Sequence, residues 1–223
     1  MALNSTTAKF VACFVILCAL PIIYFAVCWG MADIKAYPVR YALERWENKG
    51  EVDPEELTAM AAAIESALSW QPHNPEYIEL QARIKLHQAI MIEEGIAFKK
   101  AVREILALHN IAIELRPQWP YSWANKALMK AYLEEFDTEY LEAMQQSEHF
   151  GPWELSVNLT VLQAGLIGWF SLTPDDKLVV VRAADRATEH NWRSARNLLD
   201  LYQRRYSVCA FMQRTEMQKK ACY

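Results

Sequence analysis

Glycine is scarce in this sequence, at six residues in 223. Alternating apolar and polar runs rich in β-branched residues are also few. A β protein needs both features, so the composition excludes a mainly β fold. An excess of one charge is missing as well. Lysine and arginine number 23 and aspartate and glutamate 27, a formal net charge of −4. A mildly acidic chain carries no electrostatic footprint for nucleic acid. There is no Cys-x-x-Cys pair, and the five histidines (His73, His87, His109, His149, His190) lack paired helical spacing, so no metal site is expected. A His-Glu-x-x-His helix, a phosphate-binding glycine loop, a Gly-x-Ser-x-Gly elbow and a dinucleotide fingerprint are all absent. The adjacent acids Glu55-Glu56, Glu93-Glu94 and Glu134-Glu135 point apart on a helix, so none is an acid–base couple by itself. The chain therefore reads as a non-enzyme with no cofactor and no catalytic residue.

What the sequence has in quantity is apolar residues, 53% of the total. Many lie in one uncharged run of 22 residues, Phe10 to Met31. At 1.5 Å per residue such a helix crosses a hydrocarbon core of about 30 Å. Tyr24 and Trp29 suit an interface near its far end. The run is too long for a signal-peptide core and no small-x-small cleavage site follows, so an uncleaved anchor is the preferred reading. Leu17 before Cys18 and Val27 before Cys28 rule out a lipoprotein signal, and Cys13 comes too early. Orientation stays open. Lys9 alone flanks the near side, against Lys35, Arg40 and Arg45 on the far side, which keeps the domain in the cytoplasm by the basic-residue count. The short tail with one lysine reads instead as an uncleaved export signal.

Beyond the anchor, helix signals follow one another. Val39 to Asn48 reads as a short helix with Tyr41, Leu43 and Trp46 as apolar positions and Gly50 as its stop. Asp53-Pro54-Glu55-Glu56 opens the next, ending at Trp70-Gln71-Pro72. Asn74-Pro75 opens another, weakly interrupted at Glu93-Glu94-Gly95 before a run from Phe98 to Leu115. Pro120 to Glu135 and Thr138 to His149 come next, separated by the turn at Phe136-Asp137. Three helices end alike, with a small residue five positions before a proline: Ala67 and Pro72, Ala112 and Pro117, Ser147 and Pro152. The small residue permits close helix approach and the proline ends the unit. The spacings of 45 and 35 residues bracket the period of about 34 of a tetratricopeptide (TPR) repeat. Trp153 to Leu172 has no charge after Glu154, and reads as a buried helix in preference to a second span because Asn158, Thr160, Gln163 and Ser171 interrupt it. Thr173-Pro174-Asp175-Asp176 starts a helix ending near His190, and Asn191 to Met212 forms a last helix or pair. The tail from Gln203 is basic, a solvated face or a contact for anionic headgroups or an acidic glycan. Cys209 and Cys222 either pair in an oxidising compartment or stay as free thiols.

The expected class is thus all-α: a tail at 1–9, a transmembrane helix at 10–31, a TPR-like helical-hairpin stack (an α-solenoid) at 32–202, and a basic helix or tail at 203–223. The richest cluster for recognition is Arg116, Trp119, Tyr121, Trp123, Asn125 and Trp153. Aromatic faces beside a guanidinium bind sugars or peptides. The plainer account has Trp123 and Trp153 filling gaps between stacked helices, which leaves Arg116 and Asn125 as the better contact candidates.

Gly30-Met31-Ala32-Asp33, Tyr41-Ala42-Leu43-Glu44-Arg45-Trp46, the block from Arg116 to Ala124, Phe136-Asp137 and Gly151-Pro152-Trp153-Glu154 resemble the VpsP family of bacterial exopolysaccharide-biosynthesis accessory proteins. The resemblance covers nearly the whole chain up to the basic tail. It implies an inner-membrane protein with a periplasmic domain, working with membrane proteins of polysaccharide assembly or export. No catalytic residues come with the family. Two alternatives to a protein-binding scaffold stand beside it: a direct glycan binder using the Trp119/Trp123 cluster, and a tethered chaperone-like adaptor.

Overall fold

The computed structural model describes residues 5–92 and 95–223. Among the described residues the chain forms ten helices and no strand. It divides into two compact units, Met1–Ile84 and Lys85–Tyr223.

The first unit begins with α1 (Ser5–Lys49), a single helix of 45 residues. The expected break between the anchor and a separate Val39–Asn48 helix is absent. Nothing between Met31 and Val39 stops a helix except Pro38, and Pro38 is exposed, so the carbonyl that it leaves unbonded can turn to water. The apolar half of α1 is exposed as far as Val27: Phe14, Leu17, Leu20, Ile23 and Phe25 are all more than half exposed. It is the one helix among the described residues long and apolar enough to cross a membrane, with a mean hydropathy of 2.8 over its most apolar window.

Past Met31 the same helix becomes amphipathic. Ala32, Ala36, Val39, Leu43 and Trp46, at three and four spacing, form a core with Leu57, Ile64 and Ala67 of α2 (Pro54–Trp70) and Tyr77, Leu80 and Ile84 of α3 (Pro75–Ile90). Tyr41, expected among the apolar positions, is 61% exposed on the opposite face. Asp53 caps α2, accepting from the Glu55 amide. Arg40 bridges Asp33 (2.8 Å) and Glu76 (2.6 Å), and Glu56 accepts from both Arg45 and the Trp46 indole.

In the second unit, α4 (Ile96–Leu115), α5 (Pro120–Tyr132), α6 (Thr138–Phe150), α7 (Leu155–Ile167) and α8 (Pro174–Leu201) pack in sequence, with α5 also against α7. Glu93 and Glu94 of the expected interruption lie outside the described residues; Gly95, at φ 145°, precedes α4. α7 is 13 residues, roughly 20 Å, and mostly buried, which excludes the reading of Trp153–Leu172 as a second span. Gly168 and the turn after it end α7 early. α8 runs past His190, but Asn191 is non-helical (φ −152°, ψ 84°), so the expected stop survives as a kink. The chain finishes with α9 (Arg205–Cys209) and α10 (Glu216–Cys222), both against α8.

The three small-residue/proline pairs adopt one geometry. The amides of Gln71, Arg116 and Gly151 donate to the carbonyls of Ala67, Ala112 and Ser147. Each capping residue leaves the helical region in the same way, with φ of −137°, −144° and −135° and ψ of 71°, 75° and 50°. Ala67, Ala112 and Ser147 are fully buried. Three residues after each cap, Asn74, Trp119 and Glu154 close a turn by donating back to Gln71, Arg116 and Gly151.

Lys130 holds the α5–α6 turn. Its side chain is 4% exposed, and its ammonium lies 2.9 Å from Asp137 and 3.3 Å from Glu139. Burial lowers the Lys130 pKa, and the two carboxylates more than reverse this.

The closest approach is between α7 and α8. A Cβ at Gly165 would lie 2.3 Å from Val180 Cγ2 and 3.0 Å from its Cβ. Gly165→Ala is expected to cost about 1–3 kcal/mol by overpacking. Adding Val180→Ala should return part of that loss, giving a double variant more stable than the sum of the single changes; thermal unfolding followed by circular dichroism reads the coupling.

Candidate functional site

The linker between α4 and α5 places the first part of the site. Arg116 caps α4 at φ −144°, ψ 75°, Pro117 and Gln118 turn the chain, and Trp119 precedes Pro120 at the first position of α5. The Trp119 amide donates to the Arg116 carbonyl at 3.1 Å, which brings the two side chains together. The Arg116 guanidinium lies 3.7 Å from the Trp119 ring centroid. Tyr121 stands 5.0 Å from Trp119, ring to ring, tilted by 40°. Its hydroxyl donates to Glu154 at 2.7 Å. Burial first, and the Glu154 carboxylate second, raise the Tyr121 pKa, so the phenol keeps its proton and donates it to Glu154.

These residues line an open groove of about 590 Å³, bounded by the linker from Leu115 to Tyr121 and by Phe150 and Glu154 from the following linker. It offers a stacked cation, two aromatic faces and a carboxylate acceptor. That combination has the chemistry to suit a ligand with both a flat or ring-shaped apolar face and polar edges.

The six residues singled out from sequence do not form one site. Arg116, Trp119 and Tyr121 share the groove. Trp123 does not line it; its indole donates to the Pro117 carbonyl at 2.7 Å and braces the linker from behind. Asn125 is half-buried on α5, also outside the groove lining. Trp153 is 74% exposed rather than a filler between helices, and belongs to a second cavity of about 240 Å³ with Asp185, Arg186, Glu189, His190, Gln213 and Gln218. Glu154 was missed. Aligning the linkers by their prolines would have found it: Glu154 falls where Asn74 and Trp119 stand, and Trp153 falls at the exposed corner held by His73 and Gln118.

The second cavity is walled by the C-terminal segment. Asp185 Oδ1 accepts from the Gln213 amide at 3.2 Å and from Gln218 Nε2 at 3.1 Å. Glu189 accepts from the Thr215 hydroxyl at 2.5 Å. Cys209 and Cys222 are joined by a disulfide, Cα to Cα 5.9 Å, which ties α10 back to α9. Among the described residues no group of three or more histidine, cysteine, aspartate or glutamate side chains could hold a metal ion.

No protein-family model matches this chain, and no curated protein matches it.

Asp185 gives a pH-dependent test. Burial pushes its carboxyl above the usual carboxylate range, more than the bonds from Gln213 and Gln218 pull it down. A carboxyl with a raised folded pKa contributes stability below its unfolded value, about pH 4, and loses it as pH rises through the folded value. Asp185→Asn keeps an oxygen that accepts both hydrogen bonds but cannot ionise. Its urea midpoint should equal or exceed that of the wild type at pH 7, with the advantage gone by about pH 3.

Proposed function

We propose that this chain is a single-pass, membrane-anchored scaffold of TPR-like helical hairpins, a non-enzymatic accessory protein in bacterial exopolysaccharide biosynthesis or export at the inner membrane. The Arg116/Trp119/Tyr121/Glu154 groove is where it holds a partner protein. The observation that carries the anchored-scaffold reading is the continuity of α1. One helix passes from an exposed apolar half directly into the core formed with α2 and α3, so the anchor and that core share one rod. The repeat reading is supported by the three linkers of equal geometry, each followed by a helix that starts four residues after its cap. The polysaccharide context rests on the VpsP resemblance of the Arg116–Ala124 block and its companions.

The Cys209–Cys222 bond supports an extracytoplasmic domain, because structural disulfides persist in oxidising compartments. It outweighs the basic-residue count, which rests on one lysine against three cations. A second reading, direct glycan binding, is favoured by the guanidinium stacked on Trp119 beside the Glu154 acceptor.

Two measurements test this. Alkaline phosphatase fused after Tyr223 should be active and a green fluorescent protein fused there dark; the reverse pattern would place the domain in the cytoplasm. In the membrane, Trp119→Ala should abolish chemical crosslinking to assembly partners while leaving circular dichroism unchanged. If crosslinks persist and added polysaccharide instead shifts the tryptophan emission of the wild type, the glycan reading replaces the scaffold. Separately, replacing Cys209 and Cys222 with serine should cost about 2–3 kcal/mol of stability, read by urea unfolding with and without reductant.

A further inference from the structure

The turn after α7, the start of α8 and the segment around α9 share a surface that the groove does not use. Phe170 is 78% exposed, Tyr206 83% and Phe211 64%. Folding has left large rings in water here, and one of them, Phe211, lines with Trp169 and Leu178 a mainly apolar cavity of about 380 Å³. Cations overlie the rings: the Arg204 guanidinium is 4.4 Å from the Phe170 centroid, Arg205 is 5.7 Å from Tyr206, and the Lys177 ammonium is 5.2 Å from Trp169. The segment from Gln203 onward carries Arg204, Arg205, Arg214, Lys219 and Lys220 against Glu216 alone, in a chain whose net charge is −4. At the start of α8, Asp176 accepts from the Thr173 hydroxyl at 2.6 Å and Asp175 is exposed; further along α8 the carboxylates next to this segment are engaged. Asp185 takes Gln213 and Gln218, Glu189 takes Thr215, and Asp200 takes Arg205 and Arg196.

Exposed aromatics interleaved with arginine and lysine match the interface of an anionic bilayer, where rings sit at headgroup depth and cations meet lipid phosphates. We propose that this face docks on the anionic surface of the membrane that holds α1. The inference rests on reading α1 as an anchor, which keeps the bilayer at high effective concentration and lets a weak contact be occupied. Of the two polyanions that such a face would suit, the lipid surface is favoured because the rings need an apolar phase to enter. An acidic glycan satisfies only the cations.

The test uses the full chain in lipid nanodiscs, with amide hydrogen exchange as the readout. Amides of residues 170–178 and 204–211 should exchange roughly ten-fold more slowly in phosphatidylglycerol discs than in phosphatidylcholine discs, a difference that 0.5 M salt removes. The variant Phe170→Ser/Tyr206→Ser changes two side chains exposed to solvent, so it folds as the wild type does, and should lose most of that protection. Equal exchange in the two lipids, or protection that survives the double substitution, would overturn the proposal. So would protection that appears only when an acidic polysaccharide is added to neutral discs. Slow exchange at residues 14–27 together with an unprotected face sinks the docking alone, whereas fast exchange at residues 14–27 sinks the anchor and the docking together.

Discussion

A helix that ends against its neighbours must satisfy its last carbonyls and leave without a side chain blocking the next helix. This chain meets both demands in one way three times. A small buried residue, Ala67, Ala112 or Ser147, lets the neighbouring helix come close, and its carbonyl takes the amide of the capping residue four positions on. A proline after the cap then prevents continuation. Close packing elsewhere follows the same logic: Gly165 admits Val180, and Gly151 sits where a Cβ would meet Pro120 at 2.6 Å.

The groove is a by-product of that linker. The turn after each cap closes at the third residue, which brings the capping residue and the residue before the next helix together. In the second linker these are Arg116 and Trp119, and they stack. The third linker puts Glu154 at the corresponding place, within reach of Tyr121. The groove residues therefore sit on helix ends, whose backbones are capped, and not on a long loop. The same arrangement throws Trp153 outward, because its place in the linker is the apex of the turn.

The membrane segment and the helical domain are usually thought of as separate parts joined by a linker. Here the stretch of α1 long and apolar enough to span a membrane and the stretch that packs on α2 and α3 are one helix. Its composition changes from apolar all round to one-sided near Ala32, while its hydrogen bonding continues. The exposed Ile34, Tyr37 and Tyr41 extend the apolar surface of the anchor along the side that does not pack.

Sequence alone was enough for the helical class, the length and apolarity of the anchor, the caps at Asp53 and Thr173, and the three helix ends. All of these depend on residues within one turn of each other, so local spacing carries them. The union of the anchor with the next helix was harder to read, because Pro38 looks like a break until its place on the exposed side is known. The site was half legible. Arg116 and Trp119 meet through a local turn, but Glu154 joins them from 35 residues after Trp119, brought there by the packing of α5 against α7. Likewise the early end of α7, the splitting of the aromatic cluster into two cavities and the contact of the basic tail with α8 were decided only by tertiary structure. Each depends on which helix faces come together, and periodicity along one helix shows which face is apolar but not what it will meet.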